Sequence, residues 1–294
     1  MAEELPWTGT RQSTTYSKAC MQSKSSFTPV GVSEDCLYLN FWLPEHSNTS
    51  EPRAVMLFFY GGSWVIGSAM FPIYDGEHLA RRGVVAVAAN YRLGLFGFLG
   101  SEALRASDGS TGNFGLQDQR LAMLWVRRNA AALGADASRV MIFGESAGAG
   151  SVANHLVHPR SWGLFSRAGM ESGPWADWSA VALSAAELAT KHIAAAVGCD
   201  HPGTTGAVAD VRAAFSATAA TAGLAACLRN VSEETLLSAE GSAPRLPPTM
   251  AIAWAPVIDG VELTASPRDL GAAGHFAPNV SVSAPRCRRS TIPP

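Results

Sequence analysis

Charge is scarce in this 294-residue chain: Asp, Glu, Lys and Arg make up 16% of it, well under the usual level of about 25%. A basic excess is also missing. The formal net charge of -2 excludes the positive face that phosphate contacts demand, so no nucleic-acid partner is expected. No apolar run approaches the roughly 18 residues of a membrane span, and no transmembrane segment is expected. Met1 to Pro6 lack a basic stretch followed by an apolar one, so no signal peptide is expected there. No fixed-period repeat occurs. Cysteines number only five, an odd count that leaves at least one without a partner in the chain. Apolar residues, by contrast, are plentiful at 47%, enough to offset ordering entropy and to exclude a disordered polymer.

What is present is an alternation of two patterns. Cys36 to Leu43 has strand character and is stopped by Pro44. Three further apolar runs, Ala54 to Tyr60, Val84 to Ala89 and Val140 to Phe143, end at Gly61-Gly62, Asn90 and Gly144. Short unbroken runs of this kind suit strands buried between helices in a parallel sheet. Between them, residues 117–133 predict a helix with Leu121, Leu124, Trp125, Val126 and Ala132 on one face. Gln117, Asp118, Arg120, Arg127 and Arg128 occupy the other face, and Gly134 supplies a stop. Ser146 to Leu156 predicts a second helix, and the Ala-rich residues 180–226 predict peripheral helices with a loop around His201. The fold class is α/β, with a mostly parallel central sheet flanked by helices.

Gly144-Glu145-Ser146-Ala147-Gly148 fits the G-x-S-x-G elbow, in the strand-to-helix setting that the motif requires. The Ser146 hydroxyl would stand exposed on a strained turn, beside the Ala147 N–H at a positive helix end. An unreactive glycine-rich turn is the alternative. Tyr60-Gly61-Gly62-Ser63-Trp64 closes another apolar run and could aim backbone N–H groups at the same negative oxygen.

With these segments in place, the chain resembles the type-B carboxylesterases and cholinesterases. Ser33-Glu34-Asp35-Cys36-Leu37-Tyr38-Leu39-Asn40 looks like one of their signatures. Asn90 to Gly94, Gly112 to Gln119, Phe143 to Ser151 and Ala255 to Gly260 look like others, in the same order. The resemblance implies an α/β-hydrolase fold and hydrolysis of small carboxylic esters through an acyl-serine, with no cofactor or metal. It implies Ser146 as nucleophile and Gly62, Ser63 and Ala147 as oxyanion donors, with Ser63 where glycine is usual. Glu145 is similar to a family residue that shapes site electrostatics; a solvated turn carboxylate is the alternative. Cys20 with Cys36 and Cys199 with Cys227 match family disulfides, against the alternative of four buried thiols. The sequons at Asn48, Asn230 and Asn279 agree with a secretory or extracellular parent.

A serine nucleophile needs a base oriented by an acid, in the chain order Ser, acid, His. Where the family places its acid, ungapped counting from Asp259 lands on Arg289, and the family histidine lies farther on. His155 lies nine positions past Ser146, roughly 13 Å along a helix at about 1.5 Å per residue, too far to reach back. His158 precedes Pro159 in a loop; His275 follows Asp259 and Asp269, an order that would permit an acid–base pair, but Gly274-His275-Phe276 resembles a structural family segment. His46, His78, His192 and His201 have no motif support. The expectation is a partial domain over residues 1–280, incomplete at both ends, and an aberrant Arg/Pro-rich tail over 281–294. Ester hydrolysis by the chain as written is expected to be weak or absent. A non-catalytic binding or adhesion protein of the same family is the alternative.

Overall fold

The computed structural model describes residues 8–9, 12–45, 51–173, 175–200, 219–241, 243 and 254–284, with the backbone alone for 219–222. A short parallel pair, β1 (Ala19–Cys20) and β2 (Val32–Ser33), comes first. Then follow β3 (Leu39–Trp42), β4 (Arg53–Phe59), α1 (Glu77–Ala80), β5 (Val85–Ala89), α2 (Gly94–Phe98) and α3 (Phe114–Asn129). β6 (Ala135–Glu145), α4 (Ala147–Val157), β7 (Arg167–Glu171), β8 (Val181–Ala182), α5 (Leu183–Ala196) and α6 (Ala219–Asn230) continue the chain. α7 (Glu233–Glu240), β9 (Val257–Ile258), α8 (Pro267–Ala272) and β10 (Ser281–Ser283) complete it.

The main sheet runs β10-β7-β6-β4-β5-β3. Its strands are parallel except β3, which lies antiparallel on β5. β8 and β9 form a separate parallel pair. Every residue of β5 is buried, as expected of a strand covered on both faces. Leu57 and Phe59 of β4, Ile142 of β6 and Met170 of β7 pack with Leu116, Met123 and Val126 of α3 and Leu156 of α4. Each large side chain removed from water contributes about 1.5–3 kcal/mol before entropy is counted. The result is the helix-flanked, mostly parallel sheet of an α/β-hydrolase.

Three of the expected strands are β4, β5 and β6, and the fourth contracts to Leu39–Trp42. The expected stop at Gly134 is a left-handed residue at φ 63 that ends the turn after α3. One reading is corrected. Gln117, Asp118 and Arg120 are buried rather than solvated, because partners from distant segments meet them there. Arg92 grips Asp118 at 2.7 and 2.8 Å, Gln117 donates to Ser110 Oγ, and Arg120 grips Glu262 at 2.7 and 2.8 Å. Arg127 and Arg128 are exposed, as expected.

The Cys20–Cys36 and Cys199–Cys227 disulfides are both formed. Residues 201–218, Asn48, Cys287 and positions 285–294 of the expected tail lie outside the described residues. Ser281–Ser283, also assigned to that tail, pairs with β7 as the last strand of the sheet.

Candidate active site

The site begins with the run Val140 to Phe143, which carries β6 through the core and ends at Glu145. α4 starts immediately afterwards, and all eleven of its residues are buried. Ser146 must make the reversal in one step, and its backbone sits at φ 54, ψ -121, a left-handed conformation costly for a non-glycine residue. The flanking glycines allow this by close approach. A Cβ on Gly144 would lie 2.5 Å from the Gly148 carbonyl carbon, and one on Gly148 would strike the Phe59 carbonyl oxygen.

Two other loops press on the same residue. A Cβ on Gly61, just after β4, would lie 2.8 Å from the Glu145 carbonyl oxygen and 3.1 Å from Ser146 Cβ, and one on Gly173, after β7, would strike the Ser146 carbonyl oxygen. The Ser146 N–H donates to the Glu171 carbonyl at 2.9 Å. Of the six described non-glycine residues with positive φ, Ser63, Trp64, Ser146, Ser172 and Trp175 all follow the C-terminal ends of β4, β6 and β7. Strain of this kind gathers at functional sites, and ligands of open α/β sheets bind at that end of the strands.

The expected site residues lie on two neighbouring loops. Ser146 is half-buried, Gly62 and Ser63 belong to the loop whose first glycine packs beside it, and Ala147 is the first residue of α4. The first N–H groups of a helix have no intrahelical acceptor and point toward the turn before it. Ser63 is exposed and holds φ 58. Glu145 stands beside Glu171 in the ladder. Partial burial, and then the like charge of Glu171, push its carboxyl above the ordinary value.

The glycine loop is tied down by residues that the sequence reading left unassigned. Trp64 is fully buried despite its φ of 56, and its Nε1–H donates to Ser151 Oγ at 2.9 Å. Ser151 also accepts from Gln119 Nε2 at 3.1 Å and donates to the Ala147 carbonyl at 3.1 Å. The spacing of Ser151 from Ser146 placed it on the right helix, but no local signal named Trp64 as its partner.

His155 and His158 are committed elsewhere. His155 is fully buried between Gln119 Oε1 at 3.0 Å and Ser161 Oγ at 2.9 Å. Burial, helped by Arg120 and His158, drives its ring well below the ordinary value. His158 bonds Glu262 inside the cluster that Arg120 and Arg160 complete. His78, His192 and His275 are exposed; His46 and His201 lie outside the described residues. Among the described residues, no three His, Cys, Asp or Glu side chains are grouped to hold a metal ion. None of the described helices is long and apolar enough to cross a membrane.

Comparison with known proteins agrees with this geometry. The model of the carboxylesterase family matches residues 2–282. An acetylcholinesterase from Danio rerio is 36% identical over 286 residues, covering 92% of this chain and 42% of that protein. Cholinesterase 1 from Branchiostoma lanceolatum is 40% identical over 252 residues, covering 83% of this chain and 64% of that protein. The chain thus spans about half the length of these relatives. Its strained serine, the glycine loop beside it and the family match together give one conclusion: the chain belongs to the carboxylesterase family.

Proposed function

We propose that the protein is a serine hydrolase of carboxylic esters, acting through an acyl-enzyme on Ser146. The observation that carries this reading is the convergence of three loops at Ser146, packed so closely that a Cβ on Gly61 or Gly173 would crowd it. Its Oγ would attack the ester carbonyl. The N–H groups of Gly62, Ser63 and Ala147 would receive the negative oxygen, where each donor is worth about 10²–10³ in rate. The alcohol then leaves, and water releases the acid from the serine. The disulfides Cys20–Cys36 and Cys199–Cys227 favour an oxidising compartment such as the secretory pathway.

None of the described histidines is held toward Ser146 by a hydrogen bond; His155 and His158 are bound elsewhere. We therefore infer slow turnover by these 294 residues alone. Acceleration of about 10³–10⁴ over water is what binding and oxyanion donors can supply without a complete triad.

The test uses the purified chain with p-nitrophenyl acetate and a fluorophosphonate probe. Slow acetate release and probe labelling, both abolished in Ser146→Ala, are the expected results. Labelling that survives Ser146→Ala overturns the assignment of the nucleophile. Turnover at ordinary esterase rates, lost in Ser146→Ala, overturns the inference of slow hydrolysis. A binding or adhesion role without catalysis would show neither release nor labelling.

A further inference from the structure

The opposite end of the sheet carries a feature that ester hydrolysis does not use. β4 runs from Arg53 to Phe59, roughly 20 Å at about 3.3 Å per residue, so its start is well separated from Ser146. There a cavity of about 470 Å³ is lined by Arg53, Arg82 and Arg139, together with Glu51, Gly83 and Asp136. That volume is within the range of about 300–1,000 Å³ typical of small-molecule sites.

A break in the ladder shapes the cavity. Arg53 pairs with Ala135 and Val55 with Val140, so residues 136–139 stand opposite Ala54 alone. The excursion takes Asp136 and Arg139 out of regular pairing to the cavity wall. Gly83, at φ 85, turns the chain into β5, and a Cβ there would lie 3.8 Å from Arg53 Nη1.

Arg81, Arg92, Arg105, Arg120, Arg160 and Arg268 each pair with a carboxylate. The arginines of the cavity belong, with Arg127, Arg167 and Arg229, to those that have no carboxylate partner among the described residues. Arg53 Nε is buried without an acceptor among those residues, an unfavourable state for a polar group. Asp136 is oriented by Ser138, whose N–H and Oγ donate to its Oδ1 at 2.8 and 2.6 Å, and it feels the charge of Arg139.

We propose that this cavity binds a small molecule through a phosphate or sulfate ester group held by Arg53, Arg82 and Arg139. Planar guanidinium forks match tetrahedral oxyanions in charge and hydrogen-bond geometry. Three forks on one cavity outweigh Glu51 and Asp136 by one unit of formal charge. The site is independent of Ser146, and neither assignment depends on the other.

The experiment is calorimetric titration of the full chain with inorganic phosphate and, separately, inorganic sulfate at pH 7.5, against sodium chloride of equal ionic strength. Saturable one-to-one binding of at least one oxyanion is expected, with no saturation by chloride. Tighter phosphate binding assigns phosphate esters, and tighter sulfate binding assigns sulfate esters. Arg82→Gln and Arg139→Gln change exposed side chains, and each is expected to weaken binding about tenfold, equivalent to one lost charged contact. Arg53→Gln is expected to weaken it further, and Ser146→Ala to leave it unchanged. Absence of saturable binding, or variants at Arg82 and Arg139 that bind as tightly as the parent chain, overturns the proposal.

Discussion

Two buried polar networks start from neighbouring residues of α3 and differ in charge. Gln119 begins a neutral one, reaching His155 on one side and, through Ser151, Trp64 on the other. Arg120 begins a charged one, built on Glu262 and joined by His158 and Arg160. The neutral network touches the strained loop beside Ser146; the charged one ties together segments remote in sequence. A neutral network holds geometry without changing its charge as pH varies, provided that its histidine stays unprotonated. Burial ensures that by pushing His155 well below its ordinary value. A charged network can bind more firmly, but its strength depends on protonation.

The largest expected difference comes from breaking the charged network. Glu262→Ala leaves the buried Arg120 guanidinium without its counter-charge, and such losses typically cost about 3–5 kcal/mol. The pH dependence has a definite sign. Burial pushes the Glu262 carboxyl up, but hydrogen bonds and charge from His158 and Arg120 outweigh it and hold the group far below its ordinary 4.5. A depressed carboxyl value stabilises the fold above the ordinary value and loses that contribution as pH falls toward the folded value. Urea unfolding of the parent chain should therefore weaken steadily below pH 4.5, and Glu262→Ala should flatten that dependence. Parallel acid limbs in the two proteins would remove Glu262 from the account.

Breaking the neutral network should cost less and act nearer the serine. Ser151→Ala removes the acceptor shared by the Trp64 and Gln119 donors, worth about 1–3 kcal/mol for buried groups left unpaired. Trp64→Phe removes one of those donors. A double-mutant cycle should show coupling of about 0.5–3 kcal/mol between the two. Fluorophosphonate labelling should slow in Ser151→Ala more than in Glu262→Ala at a temperature where both are folded. Simple additivity in the cycle would mean that the bond does not support the loop.

These two networks also mark what could be read without coordinates. Ser146 and its glycines were legible because the elbow is local: one strand, one turn and one helix within a few residues. The polar face of α3 was misread as solvated because its partners are remote, Arg92 lying 26 positions from Asp118 and Glu262 lying 142 from Arg120. Binary patterning counts Arg120 as surface, and only a partner can make it interior. β7 was missed for another reason. Arg167-Ala168-Gly169-Met170-Glu171 is short, charged at both ends and interrupted by glycine, so it lacks a strand pattern of its own. A Cβ on Gly169 would lie 2.6 Å from Met141 Cε; the strand exists through its neighbour β6. Ser63 stands where the resembled family usually has glycine, and its left-handed backbone, φ 58, is visible only in three dimensions.

That backbone yields the smallest expected effect and the sharpest test of how the neutral network relates to the loop. Trp64 is fixed by its buried indole, so the chain before it must reach Gly62 through whatever conformation remains. Ser63, exposed and at φ 58, bears part of that constraint. Glycine adopts positive φ without steric penalty but gains freedom in the unfolded chain, and the two effects oppose each other. Ser63→Gly should therefore change stability by less than about 1 kcal/mol, with strain relief setting a stabilising sign. Against a Ser151→Ala background the gain should shrink, because a released Trp64 no longer forces residue 63 into the left-handed region. Thermal unfolding of the four proteins, parent, both single variants and the double, measures the difference directly. An equal gain with and without Ser151 would show that the turn is imposed by the loop itself rather than by its anchor on α4.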